Sequence, residues 1–87
     1  SRKFLQISVG VSTQYDDRVM ANVEAHQLAL RSEILGTMSE FTEESIQGKA
    51  GRQALATSLQ DAINSKLTIL ENFGGIDEVH FTSFVLQ

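Results

Sequence analysis

The first apolar pattern along the chain alternates with a period of two. Between Phe4 and Thr13 every second side chain is aliphatic, and the residues between them are mostly small or polar. Alternation of this kind is typical of a β-strand with one buried face and one solvated face. The aliphatic set is Leu5, Ile7, Val9 and Val11. The pattern therefore predicts a half-buried first strand over residues 4–13.

The next apolar pattern has the period of an α-helix. Over residues 17–37 one stripe recurs at helical spacing, and Asp16 and Asp17 are suitable capping residues before it. The stripe consists of Val19, Val23, Leu30 and Ile34. We predict one continuous long helix over this range, with the stripe packed on the core.

A second, narrower apolar seam lies on roughly the opposite side of the same predicted helix. It consists of Leu28 and Leu35, which are seven residues apart, and Ala21 flanks it. Two apolar sides require two neighbours. Either the short helix that follows folds over the seam, or the seam contacts another subunit.

The middle of the chain predicts a short helix. Thr42 can cap a helix that runs to Ile46, with Glu43 and Glu44 in its first turn. Carboxylates in that position favour the positive end of the helix dipole. This acidic pair therefore has a local structural explanation.

A second long helix is predicted over residues 53–72. Gly48 and Gly51 are expected to form a turn before it, and Gly74 and Gly75 to end it with a left-handed cap. Its apolar stripe is Leu55, Leu59, Ala62, Ile63, Leu67 and Leu70. Because Lys66 falls inside this stripe, we expect its stem to follow the core edge with the ammonium in solvent, or else to form an ion pair with a partner.

The last nine residues, VHFTSFVLQ, are apolar on both alternating sets. We assign Val79, Phe81 and Val85 to the face that packs on the helices. By alternation, Phe84 and Leu86 then lie on the other face. An upstream segment or a neighbouring subunit would have to cover that face.

The order of elements indicates an α+β domain of two layers, a small sheet packed against two long helices and one short helix. Two long helices return the chain to the end that it left, so we expect the strands to be antiparallel. A parallel pair would require the short helix to traverse the domain. Two strands alone are marginal in water, so the helices provide most of the stability or an upstream segment adds a strand.

Composition and charge restrict the class of protein. The length of 87 residues suits one domain, and 41% hydrophobic with 21% charged residues is ordinary globular usage. A net charge of −4 with dispersed basic residues argues against nucleic acid as a partner. No apolar run approaches the roughly 20 residues that cross a bilayer. The chain starts at Ser1 without Met, from which we expect an excised domain with an upstream segment.

Candidate chemistry is sparse. The spacing of His26 and His80 matches no metal-ligand pattern, so we expect no metal and a hydrogen-bonded, partly buried His26. No serine lies in a nucleophile elbow, there is no cysteine, and the glycines at 48 and 51 lack phosphate-loop spacing. We therefore expect no enzymatic activity, no cofactor and no small-molecule substrate.

The pattern LRSEILGTMSEFTEESIQGKAG, followed by the second helix and the VHFTSFVLQ ending, resembles the periplasmic domain of the FliL family of flagellar basal body-associated proteins. Ser32 departs from the family, in which an acid is usual at this position. The matching positions are Arg31, Ile34, Leu35, Gly48, Ile63, Asn64, Val79, Phe81, Thr82, Phe84, Val85 and Gln87.

The resemblance implies a fold similar to the stomatin/prohibitin domain and a single periplasmic domain over residues 1–87. It implies a membrane anchor through an upstream helix outside this chain, at the inner membrane. It also implies that copies form a ring around the stator units, stabilise them and support flagellar rotation and motility. The alternative is a stomatin-type oligomerising scaffold for another membrane complex. The candidate interaction residues are Leu28, Leu35, Phe84, Leu86 and Lys66.

Overall fold

In the described part of the chain, one strand precedes the helices and a second strand follows them. A computed structural model describes residues 4–87, so the chain start at Ser1, expected to follow a domain boundary, lies outside the described residues. The order is β1, Leu5–Ser12; α1, Asp17–Ala25; α2, Gln27–Met38; a 3-10 turn, Glu44–Ile46; α3, Lys49–Glu71; and β2, Glu78–Leu86. The two strands form one antiparallel sheet. The α+β prediction and the antiparallel direction are both confirmed.

The helix predicted over residues 17–37 is divided into two. His26 has φ −114° and ψ 27°, which ends α1 and begins α2. Its imidazole Nε2 lies 2.6 Å from a carboxylate oxygen of Glu71 at the end of α3. A tertiary contact of this kind leaves no trace in the local sequence, because neither Gly nor Pro marks the break.

The core lies between α3 and its neighbours. Leu55, Leu59 and Leu67 of α3 are fully buried, and Ile46 of the 3-10 turn packs against them. Leu70 was predicted to share this stripe but is exposed. Leu70 lies in the last turn of α3, next to Glu71, which contacts His26 at the junction of α1 and α2.

The start of α3 corrects the prediction for the glycine pair. The helix begins at Lys49, so Gly51 lies in its first turn and only Gly48 precedes it, as the N-cap residue. A Cβ on Gly51 would overlap the carbonyl oxygen of Ser45. Glycine is needed here because the 3-10 turn passes so close to the helix. The N-cap position of that turn is Glu43 and not Thr42 as predicted, although Thr42 Oγ1 accepts a hydrogen bond from the Ser45 amide at 3.1 Å.

The end of α3 also differs from the prediction. The residue in the left-handed conformation is Asn72, with φ 62°, and it ends the helix two residues before the glycines. Asparagine tolerates this conformation better than most residues. Gly75 has φ 81° and shapes the loop that follows. Asn64 holds that loop, accepting from the Ile76 amide at 2.8 Å and donating to its carbonyl at 2.9 Å.

A β-bulge in β2 explains its two apolar sets. Ser8 pairs with Ser83 and Val9 pairs with Phe81, so Thr82 is an extra residue without a partner in β1. One extra residue reverses the alternation, and the residues beyond it change faces. The consequence is that Val79, Phe81, Phe84 and Leu86 all face the helices, whereas Val85 faces outward.

Candidate interaction surface

The seam on α2 is exposed to solvent. Leu28 is 85% exposed and Leu35 is 66% exposed. The 3-10 turn, which was one candidate to cover them, instead packs on α3 and buries Ile46. The two leucines lie about 10 Å apart along the helix, from the rise of 1.5 Å per residue. Two exposed leucines on one side of one helix form an apolar surface that nothing in the described chain covers.

Leu35 also lines an apolar groove at the end of the domain where β1 starts and β2 ends. The groove measures about 320 Å³. Its apolar lining residues are Leu5, Leu35, Met38, Phe41, Ile46 and Leu86. The structure therefore brings two of the predicted candidates, Leu35 and Leu86, to one place. We call the surface formed by Leu28, Leu35 and this groove the seam surface.

The prediction that Phe84 and Leu86 lie on the face of the sheet away from the helices was wrong. Both lie on the helix side of the sheet, opposite Ile7 and Leu5, because of the bulge at Thr82. Phe84 is half-buried, and the guanidinium of Arg52 lies 4.3 Å from its ring centroid. Of the two, only Leu86 lines the groove.

Lys66 lies between α2 and α3, where its partner is in the same chain. Its Nζ is 3.8 Å from a carboxylate oxygen of Glu33, and its side chain is 30% exposed. The side chain is therefore partly buried, and its ammonium reaches a partly exposed carboxylate of the same chain. Lys66 does not line the groove.

The polar groups of the described chain have structural roles. His26 is partly buried and contacts Glu71, which confirms the expectation for this residue. Hydrogen bonds from Arg18 lower the pKa of the exposed Asp16 carboxyl, which caps α1 through the Arg18 amide. Between residues 4 and 87, no group of three or more His, Cys, Asp or Glu side chains is arranged to hold a metal ion. No helix in that range is long and apolar enough to cross a bilayer.

Sequence reasoning missed several groove residues. Leu5 was assigned to the core, and Met38 and Phe41 were assigned no role, although both are half-buried beside the seam. The available signal was the apolar pair that flanks the polar residues Ser39 and Glu40 just beyond the predicted helix end. Sequence reasoning also missed Ile69, which is 75% exposed on α3.

The fold and this surface define a small α+β domain suited to contacting other proteins. The family model of FliL, flagellar basal body-associated protein, matches residues 1–87. The chain therefore belongs to the FliL family, whose members are structural components at the flagellar basal body. A comparison with curated protein sequences gave no significant match.

Proposed function

We propose that this domain is a non-enzymatic accessory of the flagellar motor that assembles with copies of itself around the stator units and stabilises them. In this proposal it lies at the periplasmic face of the inner membrane, held by an anchor upstream of residue 1. Its role is to support rotation and motility. The observation that carries the proposal is the uncovered seam surface on a member of a basal-body family.

The shape of the seam surface favours a contact with another folded protein. Leu28 and Leu35 project from one helix, and the groove beside Leu35 is open and mainly apolar. Burying an exposed leucine side chain contributes roughly 1.5–3 kcal/mol. Two leucines and a groove can therefore provide a central apolar contact of the kind that dominates binding energy in protein interfaces.

Closed rings impose a rule on the contact. In a ring of identical copies, one patch of each copy contacts a different patch on the next copy. We propose the seam surface as one of these patches, with Leu28, Leu35 and Leu86 in contact. Phe84 and Lys66 influence it only through the packing of β2 and α3, because neither lines the groove.

Sedimentation of the Leu35→Glu variant tests this proposal. Because Leu35 is mostly exposed, the substitution leaves the monomer folded while it places a charge in the contact. We expect self-association at least tenfold weaker than for the wild type, the factor that corresponds to about 1.4 kcal/mol. Unchanged association of a well-folded Leu35→Glu variant would remove the seam surface from the proposal.

The matched control is Ile69→Glu. Ile69 is as exposed as the seam leucines but lies on α3, outside the groove. The Ile69→Glu variant adds the same charge at an exposed aliphatic position. Because that position lies outside the proposed contact, we expect its self-association to equal that of the wild type. Phe84→Glu is unsuitable as a test, because the half-buried ring packs on the core and a charge there would destabilise the fold.

A further inference from the structure

A second surface lies towards the other end of β2 from the groove, between the start of α3 and the start of β2. It is a cleft of about 410 Å³ with an apolar floor of Ala56, Val79 and Phe81. Lys49 and Arg52 line its α3 side. The cleft shares no lining residue with the groove of the seam surface.

The cations of this cleft have no acidic partner in residues 4–87. No described carboxylate lies within ion-pair distance of Lys49 or Arg52, although the whole chain carries a net charge of −4. The one carboxylate that lines the cleft belongs to Glu78, and it lies 3.8 Å from the imidazole of His80. The cleft is therefore a basic site on an acidic protein.

The side chain of Arg52 is held in position by an aromatic ring. Its guanidinium lies 4.3 Å from the centroid of the Phe84 ring, in a cation–π contact. Such a contact uses the face of the guanidinium and leaves its N–H edge available to a carboxylate. The half-buried ring thus reduces the freedom of a long side chain before any partner arrives.

The backbone beside this cleft is an unpaired strand edge, which favours a partner in an extended conformation. The sheet of the described chain has two strands, so β2 is paired with β1 on one side only. The cleft is lined by residues 78–81 of β2 and by none of β1, so it lies along the unpaired edge. The N–H and C=O groups of a strand edge are satisfied by another extended segment, which then adds as a strand.

We propose that this cleft binds an extended acidic segment of a partner polypeptide, which pairs with the open edge of β2. The side chains of an added strand alternate between the two faces of the sheet. Every second side chain is therefore directed towards the helices, where Lys49 and Arg52 lie. Carboxylates at those alternate positions complement the two cations, and polar side chains between them remain in solvent.

The test is a titration of the isotope-labelled chain with a blocked decapeptide that alternates Thr and Glu, followed by amide NMR. We expect shifts in residues 78–82 and 49–53, and weaker binding at higher salt. The Lys49→Gln, Arg52→Gln double variant should bind about tenfold more weakly, as expected for two partly exposed ion pairs. Arg31→Gln is the control, because Arg31 is exposed and also has no described acidic partner.

Four outcomes would overturn the proposal. One is equal binding of a decapeptide that alternates Thr and Gln, and another is shifts that map to β1 or the seam surface. A third is the absence of shifts at millimolar peptide. The fourth is self-association that the Lys49→Gln, Arg52→Gln variant abolishes, which would make the occupant a second copy. The Lys49→Gln single variant retains the Arg52–Phe84 contact and should bind the peptide with intermediate affinity. This graded loss distinguishes lost ion pairs from a folding defect in the double variant.

Discussion

At the scale of single residues, two glycines in helices have opposite roles. Gly51 allows the 3-10 turn to approach α3, whereas a Cβ on Gly36 of α2 would meet nothing within 4 Å. The sequence marks both simply as glycine. Only the neighbouring backbone of Ser45 distinguishes them, and that neighbour is set by the tertiary fold.

We predict that Gly51→Ala destabilises the domain by about 1–3 kcal/mol, the usual cost of overpacking. Gly36→Ala is the matched control and should stabilise by about 0.5–1 kcal/mol, because alanine loses less entropy in a helix. Urea unfolding of both variants measures the two changes. Equal effects would show that the turn does not pack on α3 as described.

The charge of Asp16 gives a prediction for pH. Hydrogen bonds from Arg18 lower the pKa of this carboxyl from its usual value of 3.8. A carboxyl whose pKa is lower in the folded state stabilises the cap above the unfolded pKa, and this contribution is lost as the pH falls through the folded pKa. We expect the NMR signal of the Asp16 carboxyl to titrate below 3.8. In Arg18→Gln it should titrate closer to 3.8, and an unchanged titration would exclude the Arg18 side chain as the cause.

At the scale of elements, the bulge in β2 decides which side chains reach the core. The alternation rule correctly predicted β1 but failed for β2, because Thr82 adds one unpaired residue. Nothing in VHFTSFVLQ distinguishes a bulged strand from one with two buried faces. The break at His26 was also hidden, since neither Gly nor Pro marks it and the contact that His26 makes is with Glu71, 45 residues away. The helical stripes were predictable because they repeat over several turns.

Asn64 connects α3 to the loop before β2, and we predict that Asn64→Leu destabilises that loop. The variant loses the acceptor for the Ile76 amide and one of the donors to its carbonyl, and Ile76 is buried. An unsatisfied buried group costs about 1–3 kcal/mol. Hydrogen exchange at residues 76–80 should accelerate.

The neighbouring Ser65→Ala is the control for this prediction. Ser65 is exposed on the same helix, and its side chain makes no hydrogen bond to the loop in the described structure. Its exchange rates should match those of the wild type. Equal protection in Asn64→Leu would mean that Gln60, which donates to the Ile76 and Asp77 carbonyls, holds the loop without Asn64.

At the scale of the whole molecule, the two surfaces differ in chemistry and position. The seam surface is apolar and lies on α2 and the groove beside it, whereas the basic cleft lies between α3 and the open edge of β2. The seam residues Leu28 and Leu35 were identifiable from helical spacing. The cleft was not, because its two sides come from α3 and β2, which are far apart in sequence, and only the packing of β2 on α3 brings Arg52 to Phe84.

The most direct test of the central claim is site-specific photo-cross-linking in flagellated cells. A photoreactive side chain is placed at position 35 of the membrane-tethered protein, and at position 69 as the control. Because both positions are exposed, neither substitution disturbs the core. We predict that position 35 cross-links to a second copy or to a stator protein and that position 69 does not. Equal yields at the two positions, or no product at position 35 in motile cells, would contradict assembly through the seam surface.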